Sequence, residues 1–575
     1  MYKKNKRSQQ PLLISDVNDL PERSLKYLKN SWAETFRCEV FLRIPEERFA
    51  VLYDPDPSRP NVPVNIMVGL NVLKEWHGWS DEEMYEHFLF DLQVRYALGC
   101  DTFGDGDFDL RTMYYFRKRL SEHALKTGEN LIQVAFEHIT DEQIQKLNIN
   151  TKIQRMDSTQ ILSNIADLSR LELLVGVLQR LHRILSEADQ TQYREVFQPF
   201  IKESAGQYTY RIKGKAAVWE HIQQVGQVLH GLLQVLAEGY QEQAVYQVAQ
   251  RFFDENFKLV ETQVQAKSNT EIEPGCLQSL DDLEAGFRRK GNHSYKGFVG
   301  NVTETCDPDN PLQLITHVQV QSNRASDIEL LKQALPDLKG RMDLDTLVTD
   351  GAYTGPSVDQ ALQDHLVQQI TTGLIGALPI HPHGMLAMSD FAMDLDAQGD
   401  LLKLTCPAGQ EANLGLQPSG KSYWVTFREA ECQACSMYQA GQCPTRKYKR
   451  REVVGFNLPK KRILSSLRIR RFLACKEEAR ALRPAAEATI FQVKHQLEGG
   501  KVRVRGVFRT SCVIVCAAIG VNLRRIFRYE NDQQRGKWTS KVARRDSFGQ
   551  FSRCAKTFYA CLFSAMPRLQ ACFSF

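Results

Sequence analysis

The chain has 575 residues, 43% of them hydrophobic and 25% charged, which is enough to bury the cores of about three or four domains. The net charge of +5 is uneven, because 14 Lys or Arg and only three acids occur from Arg446 to Arg483. Such a basic region predicts a polyanionic partner, most simply nucleic acid, since a solubilising surface would mix both signs. The basic N-terminus lacks a signal-peptide core and no long apolar run occurs. We therefore expect a cytoplasmic protein with no membrane span.

The first 145 residues have the pattern of a helical domain. Asp109 can cap a helix over 110–123, whose Arg117 and Arg119 alternate with aromatic residues. Two interpretations are open for this helix. It lies on DNA and uses these arginines as contacts, or it is a core helix with a basic outer face.

From residue 149 the pattern becomes that of a sheet. Residues 149–164 alternate as a strand, with Ile149, Ile153 and Asp157 on one face. Strands and helices that follow one another predict an α/β sheet with an antiparallel edge. The later elements expected are strands 295–307 and 312–321, helix 327–335, strand 345–353, helix 357–366 and strand 366–374.

Two segments interrupt the sheet pattern, one helical and one rich in Gly, Pro and Cys. The chain is therefore expected to contain five units, some of them discontinuous in sequence. They are a helical DNA-binding domain (1–145), a catalytic sheet domain (146–165 with 275–375 and 456–530), a helical insert (166–274), a cysteine-rich zinc-ribbon-like insert (376–455) and a basic, apolar tail (531–575).

Two strand carboxylates need a physical reason. Asp157 lies within the first strand and Asp350 ends the fourth, and a buried carboxylate is costly unless it is paired, hydrogen-bonded or bound to metal. Functional groups gather at strand ends in open α/β sheets, so neighbouring strands would let the two hold one divalent cation. Each aspartate alone also has a plainer interpretation, because Asp350-Gly351 is an ordinary turn sequence.

The segment 480-RALRPAAEATIFQVKH-495 places Glu487 and Lys494 on one helix face. Pro484 suits a first helical turn, so we expect the helix to begin there, with Arg483 in an extended conformation. A third carboxylate from Glu487 would complete the hard oxygen ligands for two Mg²⁺ or Mn²⁺ ions. Ions ~4 Å apart activate a water or a 3′-hydroxyl and stabilise the leaving oxygen in phosphoryl transfer. The alternative is a solvated helix with ordinary surface charges.

Three acidic motifs occur in order: 156-MDST-159, 349-TDGAY-353 and the spacing Arg-x3-Glu-x6-Lys at 483–494. Together they resemble the DDE transposases of bacterial insertion sequences, over most of residues 50–530. The resemblance implies a ribonuclease H-like mixed sheet flanked by helices, with 281–307 and 322–327 supplying its second and third strands. The family signature has Tyr where this chain has Arg480, which puts that contact in question and leaves the acid undisturbed.

The resemblance also implies roles for these residues. Asp157, Asp350 and Glu487 would be the catalytic ligands of two Mg²⁺ or Mn²⁺ ions. Arg483 and Lys494, with Arg480 beside them, would bind phosphates near the cleaved strand. The expected partners are the terminal inverted repeats of the element and its target DNA, held by a homodimer at the bacterial nucleoid.

Four cysteines lie in the second interruption: Cys406, Cys432, Cys435 and Cys443. The Cys-x2-Cys pair has zinc-knuckle spacing, and four thiolates would form a closed, structural Zn²⁺ site. The alternative is a set of reduced thiols in a loop-rich subdomain.

Three functions are compatible with these patterns. The leading one is a transposase that binds its element ends, cuts them and joins them to target DNA. The others are a two-metal nuclease without strand transfer and a catalytically silent DNA-binding protein derived from a transposase. The intact set of three acids favours an enzyme, because a binding protein has no use for it.

Overall fold

The computed structural model describes residues 1–6, 15–56, 60–102, 104–273, 275–374, 384–396, 399–448, 452–474 and 476–535, without the side chains of 476–483 and 498. Most of the expected 531–575 tail therefore lies outside the described residues. The helices are α1 (Glu22–Lys29), α2 (Trp32–Glu39), α3 (Val64–His77), α4 (Asp81–Phe90), α5 (Leu92–Ala97), α6 (Leu110–Thr127), α7 (Leu131–Leu147), α8 (Arg170–Ile184), α9 (Glu187–Gln192), α10 (Arg194–Phe197), α11 (Ala205–Thr209), α12 (Lys215–Tyr240), α13 (Ala244–Asn256), α14 (Asp327–Arg341), α15 (Pro356–Asp364), α16 (Glu429–Gln433), α17 (Ser436–Gln439), α18 (Lys460–Ala474), α19 (Lys476–Lys494) and α20 (Val507–Gln534). The strands are β1 (Ile153–Leu162), β2 (Phe257–Val260), β3 (Gln263–Ala266), β4 (Gly286–Lys290), β5 (His293–Thr305), β6 (Ile315–Ser322), β7 (Thr346–Thr349), β8 (Gln368–Thr371), β9 (Ala392–Leu395), β10 (Leu401–Thr405), β11 (Asn413–Leu416), β12 (Ser422–Arg428), β13 (Arg446–Lys447) and β14 (Val453–Pro459).

The N-terminal region is helical, as the sequence predicts. Helix α6 begins where expected, since the Asp109 side chain accepts the Arg111 backbone N–H at 2.8 Å. Its Phe116 and Leu120 are buried, whereas Tyr115 on the opposite side is 54% exposed. The helix therefore packs one face and leaves an aromatic, basic face open.

The central sheet is mixed and has six strands in the order β4-β5-β1-β7-β8, with β6 also paired to β5. Strand β1 is antiparallel to β5 and parallel to β7, so the predicted antiparallel edge and parallel half are both present. The strand begins at Ile153, so Ile149 precedes it. Gly297 of β5 lies where a Cβ would come within 2.3 Å of the Ile161 carbonyl, so a side chain there would part β5 from β1.

The chain leaves the sheet after β1 and returns at β4. Helices α8 to α13 and the β2–β3 hairpin fill this gap and bury a hydrophobic core of their own. These elements fall within the segment 166–274, and its division from the sheet domain as an insert stays a prediction. The second interruption contains β9 to β14, whose Val425, Phe427 and Leu458 form another separate core.

Helix α20 joins the N-terminal helices to the sheet. It packs against α3, α7 and β6, and one continuous hydrophobic core includes residues from all of these elements. Gly520 permits the close approach to α3, because a Cβ there would lie 2.7 Å from the Trp76 ring. Among the described helices, α20 alone has the length and apolar composition to cross a membrane, but 72% of its apolar window is buried inside the protein. It is a core helix here.

The amide of Asn522 on α20 makes both hydrogen bonds of a missing strand partner. Its Oδ1 accepts the Ile315 N–H at 2.8 Å and its Nδ2 donates to the Ile315 carbonyl at 2.9 Å. Asn522 is 1% exposed, so the backbone of β6 has no water to replace it. We expect Asn522→Leu to lower the free energy of unfolding by about 2–4 kcal/mol, since two buried backbone groups lose their partners. Urea unfolding followed by circular dichroism measures the change.

Gln533→Leu is the matched control, because Gln533 is an exposed amide on the same helix. It should change stability by less than about 0.5 kcal/mol. Equal losses in the two variants would show that the strand-like bonds of Asn522 contribute nothing.

Candidate active site

Asp157 lies within β1, level with Asp350, which directly follows the end of the neighbouring strand β7. The β1–β7 register pairs Arg155 with Val348, and two further residues on each strand bring the two aspartates level. Burial raises the pKa of Asp157 most, the Ser158 N–H opposes the shift, and the charge of Asp350 adds to it, giving about 6. This like-charge repulsion is what a divalent cation would relieve, so the pair fits a Mg²⁺ or Mn²⁺ site.

A hydrogen-bonded layer fixes the backbone around the two aspartates. The buried Tyr353 hydroxyl donates to Asn301 Oδ1 at 2.7 Å, tying the turn after Asp350 to β5. The Ser158 hydroxyl donates to Asp327 Oδ1 at 2.6 Å, tying β1 to the start of α14. Ser158 and Tyr353 belong to the acidic motifs, but their partners come from distant segments that no local pattern marks.

The helix that carries Glu487 begins earlier than the sequence predicts. Helix α19 starts at Lys476 and contains Pro484, so the expected start near Pro484 and the extended Arg483 are wrong. A proline removes one backbone donor and does not exclude a helix that is held by packing. The side chains of Arg480 and Arg483 lie outside the described residues, and their DNA contacts stay predictions.

A buried ion-pair network anchors α19 to the sheet. Glu304 of β5, 2% exposed, accepts from Arg155 Nε and from Arg525 Nη1, both at 2.7 Å. Burial favours the neutral acid, but the guanidinium groups of Arg525 and Arg155 outweigh it and hold the Glu304 pKa below its usual value. Arg525 Nη2 also donates to Thr489 Oγ1 of α19 at 2.7 Å. The network thus joins β1, β5, α20 and α19.

Lys494 connects the far end of α19 to β1. Its ammonium donates to the Gln160 carbonyl at 2.8 Å and to Thr159 Oγ1 at 3.3 Å, and burial lowers its pKa. Lys494 is therefore no solvated surface charge. Thr489 lies beside Glu304, the ion-pair partner of Arg155, and Lys494 lies beside Gln160. Helix α19 therefore runs in the same direction as β1.

The shared direction of α19 and β1 sets the order in which residues of the helix lie along the strand. Glu487 precedes Lys494 by seven residues on the same helix face, about 10 Å back along the axis. Gln160 and Asp157 are about 10 Å apart along β1. Glu487 is exposed and lies two residues before Thr489 on α19, and its approach to Asp157 stays a prediction. No three His, Cys, Asp or Glu side chains form a metal-binding group within the described residues, so Glu487 does not close the site here.

The two arginines of α6 make contacts within the protein. Arg117 donates to Asn71 Oδ1 at 2.8 Å and pairs with Asp81 Oδ1 at 2.7 Å. Arg119 is exposed and lies over the Tyr53 ring, 5.1 Å from its centroid. Their role as DNA contacts stays a prediction, and Arg119 is the more accessible of the two.

The four cysteines of the second interruption come near one another. Burial raises the Cys432 pKa to about 11, and the thiols of Cys443, Cys406 and Cys435 add to the shift. The turn expected at 406–409 forms, with the Gly409 N–H donating to the Cys406 carbonyl at 2.9 Å. In this part of the described chain, however, no three of these thiols meet as a metal-binding group. Zinc binding by these cysteines stays a prediction.

Two segments match families of known proteins. Residues 405–527 match the family described as a transposase DDE domain, and residues 30–119 match the transposase domain DUF772. These matches confirm the resemblance to DDE transposases, and the first includes Glu487. A curated relative, "Uncharacterized protein ORF8 in nfe locus" of Rhizobium meliloti, is 29% identical over 116 residues. That alignment covers 19% of this chain and 54% of the relative's length. No solved structure matches.

The Glu304 network yields a stability prediction with a defined pH dependence. Glu304→Gln should lower the free energy of unfolding by about 3–5 kcal/mol at neutral pH, because two buried guanidinium groups lose their counter-charge. The Glu304 pKa is depressed in the folded state, so its stabilisation is present above the unfolded value of about 4.3 and is lost as the pH falls through the folded value. The difference in the free energy of unfolding between wild type and Glu304→Gln should therefore become smaller at acidic pH. Urea midpoints at neutral and acidic pH measure it.

Glu411→Gln supplies the control, since Glu411 forms an exposed pair with Lys403 at 2.7 Å. Its cost should stay under about 1 kcal/mol. If Glu304→Gln is as stable as Glu411→Gln, the ion-pair network does not anchor α19.

Proposed function

We propose that the chain is a DDE transposase of an insertion sequence, which cuts DNA at the ends of a mobile element and joins them to target DNA; the two matched transposase segments support this. The observation that carries the proposal is the Asp157–Asp350 pair on the neighbouring strands β1 and β7. The element's terminal inverted repeats and the target are its DNA partners. A homodimer acting on nucleoid DNA in the bacterial cytoplasm would hold two ends together.

Asp157, Asp350 and Glu487 would hold two Mg²⁺ or Mn²⁺ ions. Bound there, the ions would supply activation of a water or 3′-hydroxyl and stabilisation of the leaving oxygen. The register of β1 with β7, which sets Asp157 level with Asp350, supports the assignment of the two aspartates. Glu487 belongs to a helix that is tied to the same sheet at Thr489 and Lys494, and its exposed side chain would move toward the pair to complete the set.

The basic residues around α19 would grip the cleaved strand. Arg483 and Arg480 lie on the turns before Glu487, and guanidinium forks suit phosphate oxygens. Lys494 already bonds β1, so its contribution combines positioning of the helix with phosphate contact. Arg119 on the open face of α6 would contact DNA at the N-terminal region, with Arg117 supporting that helix through Asp81.

The test uses the ends of the element that encodes this chain. Purified protein with labelled end DNA and Mg²⁺ or Mn²⁺ should produce nicks and joined products. Asp157→Ala, Asp350→Ala and Glu487→Ala should each reduce cleavage by at least about a hundredfold while leaving DNA binding nearly unchanged, because ligation of the metal and grip on DNA use different residues. Asp343→Ala is the control, since its carboxylate is 76% exposed on a loop.

The products discriminate the competing functions. Nicks without joined strands would identify a nuclease, and binding without nicks would identify a silent DNA-binding protein. Full cleavage by any of the three acid variants would remove that residue from the site.

We further propose that Cys406, Cys432, Cys435 and Cys443 bind one structural Zn²⁺. The influence of the other three thiols on the pKa of the buried Cys432 supports a shared site, and closure around one ion would give the tetrahedral set of four thiolates. Their two sequence groups are 26 residues apart, so the ion would clamp the β10 turn to α16 and α17.

The zinc proposal predicts about one Zn²⁺ per purified chain, measured by elemental analysis. Cys432→Ser combined with Cys435→Ser should lose the ion and make the β9–β14 region sensitive to protease, because metal binding there contributes folding free energy. Cys276→Ser, which removes a thiol that follows the helical insert in sequence, should keep the ion. Wild-type protein purified without chelator and free of zinc would end the proposal.

A further inference from the structure

The β4–β5 hairpin carries a concentrated positive charge. No Asp or Glu occurs from Ala285 to Thr303, a stretch with four Lys or Arg and one His. The strands join through a two-residue turn in which Gly291 has a φ of 61°, a conformation that glycine adopts without strain. Arg289, Lys290 and His293 at this tip are exposed. An unneutralised tip of this kind suits an anionic partner.

One face of the hairpin is directed toward the candidate site. Arg288 and Lys290 alternate on β4, so their side chains leave the strand on the same side. Arg288 Nη2 pairs with Asp327 Oδ2 at 2.9 Å, and Asp327 in turn accepts the hydroxyl of Ser158, the neighbour of Asp157. The hairpin is thus attached to the same layer that fixes the two aspartates.

Lys290 extends this face beyond Arg288. Among the described residues it has no carboxylate within ion-pair distance, yet its charge lowers the pKa of Asp157. The other cations nearby are engaged: Arg288 pairs with Asp327, and Lys296 pairs with Asp167 at 2.6 Å. Lys290 therefore offers a free ammonium beside the carboxylate pair.

We propose that the tip of the β4–β5 hairpin binds the phosphodiester backbone of the DNA strand presented to Asp157 and Asp350, with Lys290 as the positioning residue. The inference rests on the proposed DNA-cleaving function. A phosphate held by Lys290 would keep the bound strand beside the two aspartates. A backbone contact of this kind is independent of base sequence.

The experiment measures DNA binding separately from cleavage. Affinity for a labelled duplex is determined across salt concentrations without divalent cation, and cleavage of element ends is measured with Mg²⁺. Lys290→Ala should reduce the salt slope by about one, because one phosphate contact is lost, and should reduce cleavage by about tenfold or more. Lys290→Arg should restore both, whereas a role in folding alone would leave the salt slope unchanged.

Lys202→Ala is the matched control, since Lys202 is an exposed lysine of the helical insert. It should leave slope and cleavage at wild-type values. The proposal is overturned if Lys290→Ala behaves like this control, or if Lys290→Arg fails to restore the slope. Wild-type protein that binds but never cuts would refute the proposed reaction, and the slope of Lys290→Ala would still decide the role of the hairpin.

Discussion

The candidate site depends on one buried carboxylate. Glu304 lies between Arg155 and Arg525, and all three charges are largely removed from water. Such a group is stable only when every partner is in place, so the strands and helices that supply them have one permitted arrangement. Arg525 transmits this constraint to α19 through Thr489. The helix that carries the third acid is therefore located by charge pairing as well as by apolar packing.

Two places on the same sheet have opposite electrostatic demands. Around Glu304, two cations outweigh the effect of burial and hold the acid ionised. At the other place, Asp157 adjoins Asp350, and burial raises the pKa of Asp157. The first arrangement is complete within the protein. The Asp157–Asp350 pair is stabilised by positive charge that the pair itself lacks. A divalent ion would supply that charge, and the basic β4–β5 hairpin lies beside the pair.

Features encoded within a few residues were predictable from the sequence. The cap of α6, the alternation of β1 and the order of strands and helices after β6 follow from local patterns, and the acids stand out as charges in strands. Contacts between distant segments were not: Glu304 meets Arg525 across 221 positions, and nothing local marks either. The predicted start of α19 was wrong, because Pro484 lies inside a helix that begins at Lys476. Glu487, Asp157 and Asp350 were nominated by motif spacing, which cannot report how closely they approach.

Helix α20 holds the N-terminal helices at a fixed distance from the two aspartates. Because it shares one core with α3 and with the sheet, the N-terminal helices cannot turn or slide relative to the two aspartates without exposing that core to water. A duplex held on the open face of α6 would then enter the site at a constant offset, counted in steps of about 3.4 Å per base pair. The packing of α20 against α3 and the sheet would then set how far from the recognised sequence the DNA is cut. Lengthening the loops between the helices would not shift it.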